Sequence, residues 1–169
     1  SVATAAGGAR QVVSVDLSNT YLEWAMDNFE LNDLNPDHYG FIRTDVMAWI
    51  AGPPDELFDL IVLDPPSFSN SKRTESVLDI QRDHGTLIRD AMRWLAPSGK
   101  LYFSCNYSKF KMDLDLLSEF SMQDITAKTL DPDFDRKPPH LCFVVQHADL
   151  DPSKVSTKML SSTASKSVL

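Results

Sequence analysis

A continuous apolar β-strand is predicted by Phe58-Asp59-Leu60-Ile61-Val62-Leu63, and it stops abruptly at Asp64-Pro65-Pro66-Ser67-Phe68. Strands that lie inside a parallel sheet, with both faces covered, carry such near-continuous apolar runs. Proline lacks a backbone N–H and has a fixed φ, so Pro65 and Pro66 stop the strand and turn the chain over its end. We therefore expect a buried strand that leads into a stiff elbow.

Strands and helices alternate on both sides of this stretch. Strands are predicted at residues 11–16, 39–43 and 100–105, and helices at residues 19–31, 47–50, 77–95 and 112–120. Ser18 is a suitable N-cap for the first of these helices. The closing strands at 122–130 and 141–146 have no helix between them, so we expect an antiparallel pair at one edge. The pattern predicts an α/β protein with a mostly parallel sheet.

The composition is that of an ordinary globular domain, with 43% hydrophobic and 24% charged residues, and we assign the domain to residues 1–148. No apolar run reaches the roughly 18 residues of a transmembrane helix, and the first residues do not resemble a signal peptide. Residues 149–169 are rich in Ser, Thr and Lys, which predicts a flexible tail. Cys105 and Cys142 are interpreted as reduced core thiols of a cytoplasmic protein, and no metal site is predicted.

Three aspartates follow successive predicted strands: Asp16, Asp45 and Asp64. The carboxyl ends of parallel strands meet at one edge of the sheet, and ligands bind there. An acid in the position of Asp16 commonly accepts hydrogen bonds from ribose hydroxyls, and Asp45 is suited to an adenine amino group. Aspartate also caps helices and turns, which is the structural alternative for each residue alone. Together the three predict a pocket for an adenosine-containing cofactor.

The elbow is the best candidate for the place where cofactor and substrate meet. Asp64 and the backbone carbonyls beside Pro65 and Pro66 would face the cofactor's reactive group. Phe68 offers a flat apolar face on which a nucleic-acid base could stack, worth ~1–3 kcal/mol. A stiff turn with a core phenylalanine is the alternative interpretation.

The segment after the elbow carries candidate phosphate-binding residues, which are Ser69, Asn70, Lys72, Arg73 and, in the next helix, Arg82. Gln81 and His84 lie beside Arg82, and such a local cluster can hold phosphates. The net charge of −8 argues against nucleic-acid binding unless the positive residues cluster or another domain binds the nucleic acid. A solvated helix start is the alternative for this cluster.

Three segments resemble the bacterial 23S rRNA methyltransferase K/L family, in its K-type module. They are Val15-Asp16-Leu17-Ser18-Asn19-Thr20-Tyr21, Asp64-Pro65-Pro66-Ser67-Phe68-Ser69-Asn70-Ser71-Lys72-Arg73 with Asp79-Ile80-Gln81-Arg82-Asp83-His84, and Ile125-Thr126-Ala127-Lys128-Thr129-Leu130-Asp131-Pro132. The resemblance covers the chain from Ser1 to about Gln146. It implies a class I, Rossmann-like fold, S-adenosylmethionine as cofactor, and transfer of a methyl group to guanine N7 of 23S ribosomal RNA.

The resemblance also implies roles for individual residues. The cofactor would be held by Asp16, Leu17, Asp45, Val46 and Asp64. The wall where cofactor and base meet would be formed by Asp64, Pro65, Pro66 and Phe68. The family has one strand and a glycine-containing loop before the segment that resembles Ser1–Thr4. We therefore expect this chain to lack that first strand, and an additional N-terminal segment or domain to complete the sheet and grip the RNA.

Three other functions fit parts of the pattern. Ser104-Cys105-Asn106 has a cysteine where the K-type module is expected to have asparagine, and a related family methylates cytosine C5 of rRNA with a cysteine nucleophile. In that chemistry the thiolate first attacks C6 of the base, and Cys105 would supply it. A methyltransferase-like interaction module that binds no cofactor, and a methyltransferase of small molecules, are the remaining alternatives.

Overall fold

The computed structural model describes residues 1–69, 78–131, 134 and 138–148. The strands are β1 Val13–Asp16, β2 Gly40–Arg43, β3 Phe58–Leu63, β4 Phe68–Ser69, β5 Leu78–Asp79, β6 Leu95–Cys105, β7 Phe120–Asp124 and β8 Leu141–His147. The α-helices are α1 Val2–Ala6, α2 Asn19–Glu30, α3 Val46–Ala51 and α4 Ile80–Arg93, with 3₁₀ turns at Pro36–His38 and Thr126–Lys128. The predicted tail at 149–169 lies outside the described residues.

The main sheet has four strands in the order β3-β6-β8-β7, and β1 pairs with β2 in a separate parallel pair. β3 and β6 are parallel, whereas β8 runs antiparallel to both of its neighbours, β6 and β7. β3, β6 and β7 therefore point in one direction and only β8 opposes them. The prediction of a mostly parallel α/β sheet with an antiparallel pair at one edge is confirmed.

A gap separates β1 from β3, because neither strand has a hydrogen-bonded strand partner on that side among the described residues. Val13 and Val15 of β1 and Leu60 and Val62 of β3 line the same cleft. Such a gap is what the expected absence of a first strand would leave, and that absence stays an expectation. One expectation is corrected here: β3 is not covered on both faces, since Leu60 and Val62 are 41% and 66% exposed.

The core lies between the four-stranded sheet and helices α3 and α4. Leu101, Phe103 and Cys105 point from alternate positions of β6 into this core and are 0% exposed. Trp94 joins the layers, because its ring stacks on Trp49 at 4.3 Å and its Nε1–H donates to the carbonyl of Ile50 at 3.0 Å. Trp94, the C-cap of α4, thereby links the end of that helix and the start of β6 to α3.

The helix predicted at residues 112–120 is absent, and a series of turns at 114–119 takes its place. Some backbone groups of this region bond to side chains of α4, and the others form only local turn hydrogen bonds, such as that from the N–H of Phe120 to the carbonyl of Leu117 at 3.0 Å. Arg89 donates to the carbonyl of Leu116 at 2.8 Å, and Nε2 of His84 accepts from the backbone N–H of Asp113 at 3.1 Å. Gly85 allows the close approach, since a Cβ there would lie 2.1 Å from a methyl carbon of Leu116.

The strand predicted at 122–130 is also corrected, because β7 covers only Phe120–Asp124 and a 3₁₀ turn follows at Thr126–Lys128. The turn is fixed by the hydroxyl of Thr126, which accepts from the backbone N–H of Cys142 at 3.0 Å. The carboxylate of Asp124 accepts from the N–H of Thr126 at 2.8 Å and so ends the strand as a local cap. The other predicted strands and helices occur within a few residues of their predicted bounds, as far as the described residues extend.

The turns at 114–119 make a prediction about two leucines. Leu117 is 1% exposed and Leu114 is 62% exposed, although an amphipathic helix would bury both, since they are three residues apart. Leu117→Ala should lower the free energy of unfolding by about 2–5 kcal/mol. Leu114→Ala should change it by less than about 0.5 kcal/mol. Urea unfolding followed by circular dichroism measures both, and equal losses would show that the segment is a helix.

Candidate active site

A cleft of about 1330 Å³ follows β1 and β3 from their first residues, Val13 and Phe58, to their carboxyl ends and past the start of α3. Asp16, Asp45 and Asp64 all line it. The cleft is larger than the few hundred Å³ typical of a small-molecule site because it includes the gap between β1 and β3. The three acids that follow separate strands in the sequence thus share one cavity.

Asp16 ends β1 and is half-buried. Its Oδ1 accepts a hydrogen bond from the backbone N–H of Ser18 at 2.6 Å. Ser18 in turn is the N-cap of α2, as predicted, and its hydroxyl accepts from the N–H of Tyr21 at 3.4 Å. Oδ2 of Asp16 accepts no hydrogen bond from a described residue, so this oxygen remains available to a ligand. Leu17, which follows Asp16, also lines the cleft.

Asp45 is the N-cap of α3. The alternative that this aspartate caps a helix is therefore correct for one of its two carboxylate oxygens. Oδ1 accepts from the backbone N–H of Met47 at 2.9 Å and of Ala48 at 3.5 Å. Oδ2 has no hydrogen-bond donor within the part of the chain that the structure describes. Val46 lies beside it on the cleft wall. A single carboxylate can therefore cap the helix and still accept a hydrogen bond from a ligand.

Asp64 follows β3 directly and is exposed at the mouth of the cleft. Its Oδ1 accepts a hydrogen bond from the hydroxyl of Ser104 in β6. This contact depends on the parallel pairing of the two strands, in which Leu63 lies opposite Phe103. Ser104 was not among the predicted site residues. The rule used for the three acids would have found it, because it lies near the carboxyl end of the neighbouring strand.

The elbow after Asp64 lies against the end of β6. Pro65 and Pro66 line the cleft, and Phe68 begins the short strand β4, which pairs with β5. The hydroxyl of Ser67 donates to Oδ1 of Asn106 at 2.7 Å. Phe68 is 53% exposed, and its ring meets that of Tyr107 edge-on, with centroids 5.6 Å apart. The alternative of a core phenylalanine is wrong, because half of the Phe68 side chain faces solvent.

The predicted RNA-binding residues fall into two groups. Asn70, Lys72 and Arg73 lie outside the described residues, and of Ser69 only the backbone is described, paired with Leu78. Arg82 is 64% exposed and donates to both carboxylate oxygens of Asp83, at 2.6 and 2.8 Å. These hydrogen bonds hold the pKa of Asp83 below its usual value. The structure does not test the predicted contact between Arg82 and RNA, which stays a prediction.

His84 cannot hold a phosphate in this structure, because it is 2% exposed. Its Nε2 accepts from the backbone N–H of Asp113, so Nδ1 carries the proton and faces the carbonyls of Ile80 and Gln81 at 3.1 and 3.0 Å. The ring is therefore a structural link between α4 and the segment after β6. Gln81 is engaged in the same way, through two hydrogen bonds to the backbone of Lys111.

Cys105 lies next to Ser104 in β6 but points to the opposite face of the sheet, into the core. It is 0% exposed and does not line the cleft. Burial raises the pKa of the Cys105 thiol, the hydrogen bond from the N–H of Tyr107 offsets part of this rise, and the negative charge of Asp64 adds a smaller increase. A nucleophilic cysteine needs an exposed thiolate of low pKa. The structure gives Cys105 neither property.

Comparison with known proteins identifies the family. A family model described as S-adenosylmethionine-dependent methyltransferase matches residues 1–150. The chain belongs to this family.

Two kinds of feature were not found among the described residues. No group of three or more His, Cys, Asp or Glu could hold a metal ion, and none of the helices has the length and apolar character of a membrane-spanning segment.

Curated relatives confirm the resemblance seen in the sequence. The Ribosomal RNA large subunit methyltransferase K/L of Chromohalobacter salexigens is 52% identical over 147 residues, which are 86% of this chain and 20% of that protein. The protein of the same name from Magnetococcus marinus is 56% identical over 146 residues, 84% of this chain and again 20% of the relative. The chain thus spans about a fifth of the length of these relatives.

Solved structures confirm the methyltransferase fold. A methyltransferase from Agrobacterium tumefaciens, described as SAM-dependent, superposes with a TM-score of 0.59 at 20% identity, over 85% of this chain and 50% of that one. A structure described as that of a methyltransferase complexed with SAH gives a TM-score of 0.66 at 23% identity, over 85% and 41% of the two chains. S-adenosylmethionine is the cofactor of the family to which the chain belongs.

The burial of Cys105 predicts that its thiol reacts slowly with alkylating reagents. Because its pKa is raised and its side chain is in the core, alkylation by iodoacetamide at pH 8 should be at least tenfold slower in the folded protein than in urea. Cys142 should behave in the same way, since burial also raises its pKa. Mass spectrometry of the two cysteine-containing peptides measures both rates. Fast native labelling of Cys105 alone would show that it is a reactive thiolate.

Proposed function

We propose that this chain is the catalytic module of an enzyme that transfers a methyl group from S-adenosylmethionine to guanine N7 of 23S ribosomal RNA. The observation that carries the proposal is the convergence of Asp16, Asp45 and Asp64 with the proline elbow along one cleft. The names of the relatives, at about 50% identity, support large-subunit rRNA as the substrate. The choice of guanine N7 rests on the resemblance to the K-type module and on the chemistry of the elbow.

The residues of the cleft suit S-adenosylmethionine. Asp16 and Asp45 each use Oδ1 for the local backbone and leave Oδ2 for a ligand, which fits a ribose hydroxyl and an adenine amino group, respectively. Leu17 and Val46 line the cleft next to these acids and suit the apolar faces of the adenosine. When bound, the cofactor supplies an electrophilic methyl group on a sulfonium sulfur.

A strand from outside residues 1–169 completes this cleft in our proposal. β1 and β3 both present an open edge to the gap, and such edges pair with any strand of suitable sequence. Exposed Leu60 and Val62 would be covered in the process. The loop that joins this strand to α1 would then hold the methionine part of the cofactor, to which we assign no group among the described residues.

Guanine N7 needs little from the protein beyond correct placement, because its ring lone pair is available and no proton must leave first. Holding two reacting groups in the right orientation supplies ~7–11 kcal/mol of a reaction barrier. Pro65 and Pro66 would fix the elbow against which the base lies, with Phe68 stacked on it. Asp64, held by the Ser104 hydroxyl, would stabilise the positive charge that grows on the base.

The product defines the test of the proposed function. Ribosomal RNA from cells with and without the gene is digested and mapped by mass spectrometry. A single 7-methylguanosine in 23S rRNA that disappears with the gene is the expected result. A lost 5-methylcytidine would instead support the cytosine chemistry. Unchanged rRNA, with methyl transfer to free nucleosides in vitro, would support a small-molecule methyltransferase.

The two ends of the cleft should differ in their kinetic roles. Asp16→Ala removes a charged acceptor for the cofactor, so the Kd for S-adenosylmethionine should rise by about 10-fold to 100-fold. Asp64→Ala should lower kcat by about 100-fold with a smaller change in that Kd, because its charge acts in the transition state. Calorimetry and single-turnover methyl transfer by the full-length protein separate the two effects.

Asp59→Ala is the matched control, since Asp59 is an exposed carboxylate on β3 that does not line the cleft. This substitution should change neither the Kd for S-adenosylmethionine nor kcat. Equal losses of cofactor affinity in Asp16→Ala and Asp64→Ala, with unchanged kcat, would contradict the division of roles. Absence of any cofactor binding by the unaltered protein would favour an interaction module instead.

Cys105→Ser should leave methyl transfer to rRNA largely intact, with kcat within about threefold of the unaltered enzyme, because the thiol faces the core. Denaturing gel electrophoresis with 5-fluorocytidine-containing RNA gives a second readout. No covalent protein–RNA adduct is expected. An adduct that disappears in Cys105→Ser, together with lost activity, would establish Cys105 as the nucleophile.

A further inference from the structure

The loop from Asn106 to Asp113 follows β6 and lies directly beside the elbow. Its first two residues contact the elbow, through the hydrogen bond from Ser67 to Asn106 and the edge-on contact between Phe68 and Tyr107. Asn106 also lines the cleft. The loop is therefore adjacent to the place where a target base would lie, although nothing in its sequence alone pointed to a function.

The loop is held in one position by a buried residue and by side chains of α4. Phe110 is 6% exposed and packs edge-on against His84, with ring centroids 4.9 Å apart. Gln81 donates to the carbonyl of Lys111 at 2.9 Å and accepts from its N–H at 2.8 Å. Asp113 donates its N–H to Nε2 of His84. A loop with this many anchors is pre-organised, so a ligand need not order it on binding.

Two lysines flank the buried phenylalanine. Lys109 lies in a turn closed by the hydrogen bond from the N–H of Phe110 to the carbonyl of Tyr107, and Lys111 follows Phe110. Both are exposed, and neither forms an ion pair with a described residue. By contrast, the nearby Arg82 and Arg89 are engaged with Asp83 and Glu119. The loop, whose first two residues contact the elbow, thus carries two exposed lysines and one exposed acid, Asp113, in a protein whose net charge is −8.

We propose that this loop is a second RNA-contacting element, in which Lys109 and Lys111 hold phosphates of the strand that carries the target base. The inference rests on the proposed function, because it takes RNA as the substrate. Phosphate contacts fix the position of a nucleic acid without reading its sequence, and lysine serves them as a point charge. A positive loop fixed next to the elbow would offset the repulsion between RNA and an acidic protein.

The test measures RNA binding and methyl transfer separately in the full-length protein. The Kd for a 23S rRNA fragment is determined as a function of KCl concentration for the unaltered protein and for Lys109→Ala/Lys111→Ala. The slope of log K against log salt should decrease by about 0.7 for each lysine removed, and the Kd should rise roughly tenfold. The KM for RNA should rise in parallel, whereas the Kd for S-adenosylmethionine stays the same.

Lys128→Ala is the matched control, since Lys128 is also exposed but follows β7, the strand farthest from β3 in the sheet. It should leave slope and affinity unchanged. Gln81→Ala keeps both lysines but removes the two hydrogen bonds to Lys111, so we expect weaker binding with an unchanged slope. Unaltered binding by Gln81→Ala would contradict the anchoring of the loop.

The outcomes separate this inference from the proposed function. If the unaltered enzyme methylates rRNA and the double variant binds RNA with the same slope and affinity, the loop is not an RNA contact. If the double variant loses affinity and slope but the unaltered protein methylates no rRNA, the loop proposal holds and the proposed function fails. If the unaltered protein does not bind the RNA at all, both fail.

Discussion

The parallel pairing of β3 with β6 is the constraint on which the candidate site depends. Its register places Leu63 opposite Phe103, and the two chains then leave the sheet side by side. The contacts between them follow in the same order: Asp64 with Ser104, Ser67 with Asn106, and Phe68 with Tyr107. A shift of this register by one residue would reverse the faces of every side chain involved. The strand pairing therefore positions the elbow, the acid and the start of the loop, and α4 anchors the rest of the loop.

Local chemistry explains why part of the structure could be predicted from sequence. β3 has the predicted bounds because two prolines end it and an apolar run defines it, and both signals are short-range. Ser18 caps α2 as predicted for the same reason, since the cap bonds to a residue only three positions away. The three aspartates share one cleft because parallel strands must end at a common edge. In each case the deciding interaction lies within a few residues or follows from the sheet type.

The parts that could not be predicted depend on partners distant in the chain. The segment at 112–120 has apolar residues at helical spacing, yet its backbone groups bond to Arg89 and His84 of α4, and tertiary contacts override the helical tendency. The sequence offers His84 as a candidate phosphate ligand, but both of its ring nitrogens already bond to backbone groups. The contact of Asn106 with Ser67 spans 39 residues and has no local signal.

The alternation of side chains along β6 also decides between two chemistries. Ser104 and Cys105 are neighbours in sequence, but successive residues of a strand point to opposite faces. Ser104 points to Asp64, whereas Cys105 points into the core with Phe103 and Leu101. A thiol in that core is desolvated, and the charge of Asp64 opposes its ionisation further. The hydroxyl, not the thiol, is thus the group that the sheet offers to the elbow. This arrangement suits a reaction that needs placement and charge stabilisation, and it does not suit one that needs a protein nucleophile.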